Sequence, residues 1–171
     1  MFSKRSLPVL LIIAFAGILI AFNTSGRSNP PTKYEKIFQQ VTEMLEENHY
    51  SPQKIDDKFS ASIFKKFLES LDPDKNIFLQ QDIRDLKKFE FTIDDELHGA
   101  PMQFFPAANA IYQKRLGEVA GYYPEILDKP FNYTIDESVM MDADKLDFSN
   151  NETARKESWR KRLKFLALER Y

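Results

Sequence analysis

The chain has 171 residues, 43% of them hydrophobic and 29% charged, the composition of one globular domain with or without a leader. It contains no cysteine, which excludes disulfide stapling, cysteine-ligated zinc, a thiol nucleophile and a lipid-modified N-terminal cysteine. A formal net charge of −2 does not suggest a nucleic-acid binder, and five Gly against nine Pro argue against a many-turned β-barrel or a glycine-cradled phosphate site.

Lys4 and Arg5 precede the run from Leu7 to Phe22, which has no charged or strongly polar side chain, and the first acid of the chain is Glu35. A basic start followed by an apolar stretch of this length reads as an export signal over residues 1–26. Ala21-Phe22-Asn23 lacks the small residue wanted at the end of a cleavage site, so a cleaved signal peptide and an uncleaved inner-membrane anchor through 7–22 both stay open. Without Lys4 and Arg5 the chain keeps 22 basic and 26 acidic residues, net −4. An exported, cysteine-free, mildly acidic protein fits a bacterial envelope. The Asn-x-Ser/Thr triplets at Asn23, Asn132 and Asn151 would matter only on a eukaryotic secretory route.

Residues 27–32 form a polar, proline-containing tether, and 33–171 form the body. Thr32 and Glu35 have capping-box spacing, and Tyr34, Ile37, Phe38, Val41 and Leu45 continue as one helix to about Asn48. Ser51-Pro52 breaks the pattern, and Asp56 or Asp57 caps a second helix that carries Phe59, Ile63, Phe64, Phe67, Leu68 and Leu71 on one face and stops at Asp72-Pro73. Ile77-Phe78-Leu79 is an extended link that plugs a core. A third helix, from about Gln81 to His98, buries Ile83, Leu86, Ile93 and Leu97 and ends at Gly99. A fourth, from about Met102 to Leu127, turns Phe104, Ala108, Ile111, Tyr112, Leu116, Val119 and Tyr123 inward, with Pro106 in its first turn and a kink or end at Pro124. Periodicity is lost from Asp128 to Asn151, where Phe131–Thr134 and Ser138–Met141 read as short strands or ordered loop. A last helix, from about Glu152 to Tyr171, buries Trp159, Leu163 and Leu166. The expectation is therefore a mainly α body: an irregular bundle of about five amphipathic helices behind the signal or anchor, with a little extended structure around 128–150. Large apolar residues at the end of the sequence read as those of a truncated longer protein.

Three Ser-x-x-Lys triplets, Ser51/Lys54, Ser62/Lys65 and Ser158/Lys161, have the spacing of a serine–lysine nucleophile, but none comes with partner motifs, and they read as solvated helix residues. Asp72-Pro73-Asp74-Lys75-Asn76 opens like a calcium loop, yet Ile77 and Ile83 occupy the positions that need Gly and Glu, so it reads as a turn. His49 and His98 stand apart and read as helix-end residues. Seven basic residues, at 155, 156, 160, 161, 162, 164 and 170, surround Trp159 and read as a basic solvated face. No catalytic, cofactor-binding or metal-ligating residue is assigned.

Taken together, His49-Tyr50, Phe59-Ser60 through Phe67-Leu68, Leu71-Asp72-Pro73, Phe78-Leu79, Asp82-Ile83, Asp95-Glu96-Leu97, Gln113-Lys114-Arg115, Leu127 to Phe131 and Trp159 in a basic helix resemble the N-terminal domain of the tail-specific proteases, the bacterial carboxyl-terminal processing serine peptidases. The resemblance runs from about Lys33 to Tyr171. It implies a helical scaffold ahead of a PDZ domain and a protease domain with a serine–lysine dyad, working in the periplasm on protein substrates, with an adaptor lipoprotein as partner in some members. The sequence given includes neither of those domains, so the resemblance implies no peptidase activity for this chain by itself and no catalytic residue is carried over. Two rivals stand beside this expectation. One is a stand-alone exported helical adaptor that binds through Trp159 and its basic helix. The other is a membrane-surface protein held by its leader and by Arg160, Lys161 and Arg162.

Overall fold

The computed structural model describes residues 32–52 and 54–170, apart from the side chain of Asp144. The export signal read over 1–26 and nearly all of the tether lie outside these residues. The chain divides into two units, Met1–Thr32 and Lys33–Tyr171, and the second holds every element below. Its helices are α1 (Lys33–Glu43, continued by a π-turn over Met44–Asn48), α2 (Asp57–Leu71), α3 (Gln80–Leu86, continued by a 3-10 turn over Lys87–Phe89), α4 (Ile93–Leu97), α5 (Phe104–Ala120), α6 (Tyr122–Leu127) and α7 (Glu152–Glu169). The only pairing of extended backbone among the described residues is one parallel bridge between Leu79 and Ser149. No helix of the described residues is long and apolar enough to cross a membrane. The body is mainly α, as its periodicity predicts.

Local chemistry sets the element ends. Asp56 starts α2: its carboxylate accepts from the N–H groups of Lys58 (3.0 Å) and Phe59 (3.3 Å), which the helix itself leaves without partners. Leu71 ends it, one residue before the Asp-Pro pair. The core then gathers around Phe104, which is fully buried and has ring contacts with Phe64 at 5.4 Å, Phe67 at 5.3 Å, Phe105 at 5.4 Å and Phe89 at 6.1 Å. Leu68, Leu86, Ile93 and Ala108 complete the buried cluster, and Phe78 of the extended link is wholly inside it. Each such side chain contributes roughly 1.5–3 kcal/mol by leaving water.

Two predicted helices are each broken in the structure. The third is not continuous: α3 tightens through its 3-10 turn, and α4 begins afresh at Ile93. Asp94, Asp95 and Glu96 form the first turn of α4, where the helix dipole favours acids. The Asp94 N–H bonds Ser60 Oγ at 2.7 Å, and that hydroxyl donates back to the Asp94 carboxylate at 2.6 Å. A helix running straight through would have kept that N–H for itself. The fourth helix stops at Ala120 because Pro124 has no N–H to offer the Ala120 carbonyl and its ring would strike it. Tyr122 is buried and Tyr123 is exposed, the reverse of the expected facing, because Tyr122 follows Ala108, Arg115 and Val119 at three- and four-residue spacing. Leu116, also expected inside, is exposed.

The last helix differs most. Trp159 and Leu163 are half-buried and Leu166 is exposed, while the residues buried in α7 are Arg155 and Lys164. Asn151 caps this helix by accepting from Ala154 N–H at 2.9 Å. Between α6 and α7, Asn132 folds 131–134 into a turn by accepting from the Thr134 N–H and hydroxyl, at 2.9 and 2.7 Å, whereas 136–141 forms neither helix nor turn.

Candidate functional site

A charged seat fixes α7, and it assembles from four helices and the link. Arg155 is 0% exposed. Its guanidinium donates to the Tyr122 hydroxyl at 2.8 Å, to the Glu118 carboxylate at 2.6 Å and to the Ile77 carbonyl. Glu118 also accepts from Arg115 at 2.9 Å, and Arg115 reaches across to Asp82 of α3 in a two-pronged pair, 2.9 Å on each arm. Asp82 in turn accepts from the Leu79 N–H at 2.8 Å and so starts α3. One continuous ladder therefore joins α7, α6, α5, α3 and the core-plugging link.

Electrostatics follow the geometry. Burial works against ionising Glu118, but the bonds from Arg155 and Arg115 outweigh it and hold its carboxyl below the usual range. Burial raises the Tyr122 phenol despite the opposing pull of Arg155. The Asp82 bond, with help from Glu118, stabilises the charged form of Arg115 against its burial.

A second cluster holds the far half of α7. Lys164, 8% exposed, donates to Glu137 at 2.6 Å and to the Ile135 carbonyl at 3.0 Å, and Arg160 also pairs with Glu137. Arg160, then Lys164, pull the Glu137 carboxyl down to about 2. Trp159 donates its indole N–H to the Asn76 carbonyl at 2.8 Å, and Arg162 pairs with Asp74 at 2.8 Å. Lys156 pairs with Glu125. The basic solvated face expected here is thus corrected: five of its seven cations are matched by acids, because α7 lies against the acids of α5, α6 and the loops. Arg160 and Arg162, named with Lys161 as a lipid-binding set, are engaged inside the protein.

None of the candidate nucleophiles is assembled. Ser51 bonds His49, with its N–H 3.1 Å from Nδ1, while Lys54 pairs with Asp56 at 3.4 Å. Lys65 pairs with Glu69 at 3.8 Å, and Ser62 and Ser158 are exposed. No Ser–Lys hydrogen bond occurs among the described residues. The Asp72 turn has a different task from calcium: its carboxylate, 1% exposed, accepts from the N–H groups of Asn76, Ile77 and Phe78, each at 2.9 Å, which shapes the link and leads Phe78 into the core. Among the described residues no three His, Asp or Glu side chains are grouped to hold a metal ion. His98 sits at the end of α4 and reaches Glu46 of the π-turn at 3.2 Å.

The residues that sequence reasoning missed are Glu118, Tyr122, Glu137 and the inward role of Arg155. Spacing carries a trace of them, since Arg115/Glu118 stand three apart and Glu118/Tyr122 four apart, one helix turn in each case.

Comparison with known proteins agrees with this architecture. Residues 41–171 match the family model described as the tail specific protease N-terminal domain. A relative called tail-specific protease, from Haemophilus influenzae, is 28% identical over 127 residues, which cover 74% of this chain and 18% of that protein.

Proposed function

The chain belongs to the tail-specific protease N-terminal domain family, and on that footing we propose that it is the non-catalytic helical scaffold of a carboxyl-terminal processing serine protease of the cell envelope. In the whole protein it precedes PDZ and protease domains and holds them in a working arrangement while envelope proteins are shortened from their C-terminal ends. The residue pattern at 1–26 supports delivery to the periplasm, either released or anchored to the inner membrane. An adaptor lipoprotein is a further partner consistent with this reading.

The observation that carries the proposal is the seat of α7. A helix tied through a fully buried Arg155 to two other helices and the core-plugging link is a rigid support, suited to setting the orientation of what is attached to it. Among the described residues no arrangement of side chains offers a nucleophile with its base, and the reading places the chemistry in another part of the whole protein.

The test is to read the source gene past codon 171 and assay its product. A frame that continues into PDZ and serine–lysine protease segments supports the reading, provided that Arg155→Ala in the full-length enzyme slows the shortening of a protein substrate at least about tenfold. A stop codon after Tyr171, or a variant that processes the substrate at the original rate, overturns it.

A further inference from the structure

α1 has one face on the body and two stripes away from it. On the inner face Phe38 stacks on Phe105 at 5.7 Å, Thr42 is buried and Leu45 is half-buried. Away from that face Tyr34, Ile37, Val41 and Met44 recur at three and four residues, and all are exposed, from 40% at Val41 to 69% at Tyr34. That is the spacing of a coiled-coil seam. Beside it run Lys33, Lys36, Gln40, Glu43 and Glu47, at the same spacing and also exposed.

The second stripe reads as two cations, a neutral amide and two acids. None of these four charged side chains has an ion-pair partner among the described residues. The other charged side chains of α1 and its π-turn are engaged with the body, Glu35 with the Met102 N–H at 3.4 Å and Glu46 with His98 at 3.2 Å. The order of charge is the wrong one for a helix by itself, whose dipole favours acids at its start and bases at its end. Here Lys33 and Lys36 stand in the first turn, and the last turn of the α-helix holds no base. Reversed in direction, the stripe is its own complement, since every charge meets its opposite. An antiparallel copy centred on Gln40 sets Lys33 against Glu47 and Lys36 against Glu43, and it lays Tyr34 over Met44 and Ile37 over Val41. A parallel copy would set lysine beside lysine and glutamate beside glutamate.

We infer that α1 joins two copies of this chain, packed antiparallel about a two-fold axis near Gln40. The same surface serves both copies, as a two-fold contact requires. The seam takes its four apolar side chains out of water, and the flanking charges set direction and register. The order of charge that α1 disfavours by itself becomes favourable there, because each charged end lies beside the opposite charge of the other copy. The inference does not rest on the scaffold reading, which concerns α7.

The chain has no cysteine, so single cysteines report the pairing without background. The full chain is kept in dodecylmaltoside because of its apolar run at 7–22, treated with a short bismaleimide and read on denaturing gels. Gln40→Cys cross-links to itself, and Lys33→Cys cross-links to Glu47→Cys when the two are mixed, whereas Lys33→Cys alone stays monomeric. In sedimentation equilibrium, Lys33→Glu with Lys36→Glu weakens the dimer at least about tenfold, and adding Glu43→Lys with Glu47→Lys restores it. Circular dichroism confirms that each variant is folded. Absence of the Gln40→Cys dimer, equal cross-linking of Lys33→Cys to itself, or association indifferent to the charge reversals overturns the proposal. A monomeric Gln40→Cys variant of the full-length gene product also overturns it, by assigning the seam to another part of that protein.

Discussion

His98 is held by two groups that can only accept. Its Nδ1 lies 2.7 Å from the Asp94 carbonyl and its Nε2 3.2 Å from the Glu46 carboxylate, an arrangement that favours the doubly protonated ring. Burial opposes that charge, but Asp94 and Glu46 outweigh it, and the pKa lies above the ordinary histidine value. For a raised pKa, the stabilisation is complete below the unfolded value and is lost as pH rises through the folded one. An NMR titration is expected to show this elevation, and Glu46→Gln to move the His98 value back down. Amide protection in the π-turn over Met44–Asn48, taken relative to the intrinsic exchange rate at each pH, is expected to fall on passing from acidic to mildly alkaline pH. Asp72 gives a larger effect, because Asp72→Ala leaves three N–H groups in or near the core without acceptors. A loss of at least about 2 kcal/mol in urea unfolding is expected. The Asp-Pro-Asp pattern was legible as a turn from the sequence; its use as a cradle for Phe78 was not, since spacing does not reveal which way a short carboxylate points.

Among the elements, α2 was the most readable, and for a physical reason. Its Phe and Leu residues recur at three and four, and both its ends carry side-chain signals, Asp56 and Asp72-Pro73. Phe64→Asp puts a charge beside Phe104 and is expected to abolish the cooperative unfolding transition, measured by circular dichroism against temperature; an unchanged transition would refute the packing argument. Gly99 has φ of +111°, a backbone conformation that a residue with a Cβ rarely adopts, while the Gln39 side-chain nitrogen 2.6 Å from where a Cβ would stand belongs to a flexible side chain that can swing aside. Gly99→Ala is expected to cost about 1 kcal/mol or more, read as a lower urea midpoint. The break at Thr92 was harder to read. The break at Gly121 realises the kink or end expected of Pro124, which acts one turn upstream, whereas the break at Thr92 depends on a contact distant in sequence, and apolar periodicity passes through both. α7 misled for a third reason: hydropathy treats every arginine and lysine as solvent-seeking, whereas Arg155 and Lys164 go inward because acids await them on other elements.

For the whole molecule, α7 is seated by charge as much as by apolar contact. Glu118 and Glu137 both have depressed pKa values, Glu118 because its two arginines outweigh burial and Glu137 because of Arg160 and Lys164. A depressed carboxylate stabilises the fold above its unfolded pKa and stops doing so as pH falls through the folded value. The seat should therefore weaken progressively as pH falls below the ordinary carboxylate range, with the contribution of Glu137 fully lost only below about 2. The family match and the helical architecture agree with the sequence resemblance, and the seat of α7 adds a physical basis for a supporting role. The most direct measurement is hydrogen exchange across the chain with Arg155→Ala beside the original, together with urea unfolding. A loss of about 3–5 kcal/mol is predicted, because the substitution leaves Glu118, Tyr122 and the Ile77 carbonyl without their buried partner. Protection should fall first over Glu152–Glu169, with Asp57–Leu71 retained. Unchanged protection in α7, with an unchanged unfolding midpoint, would contradict the account.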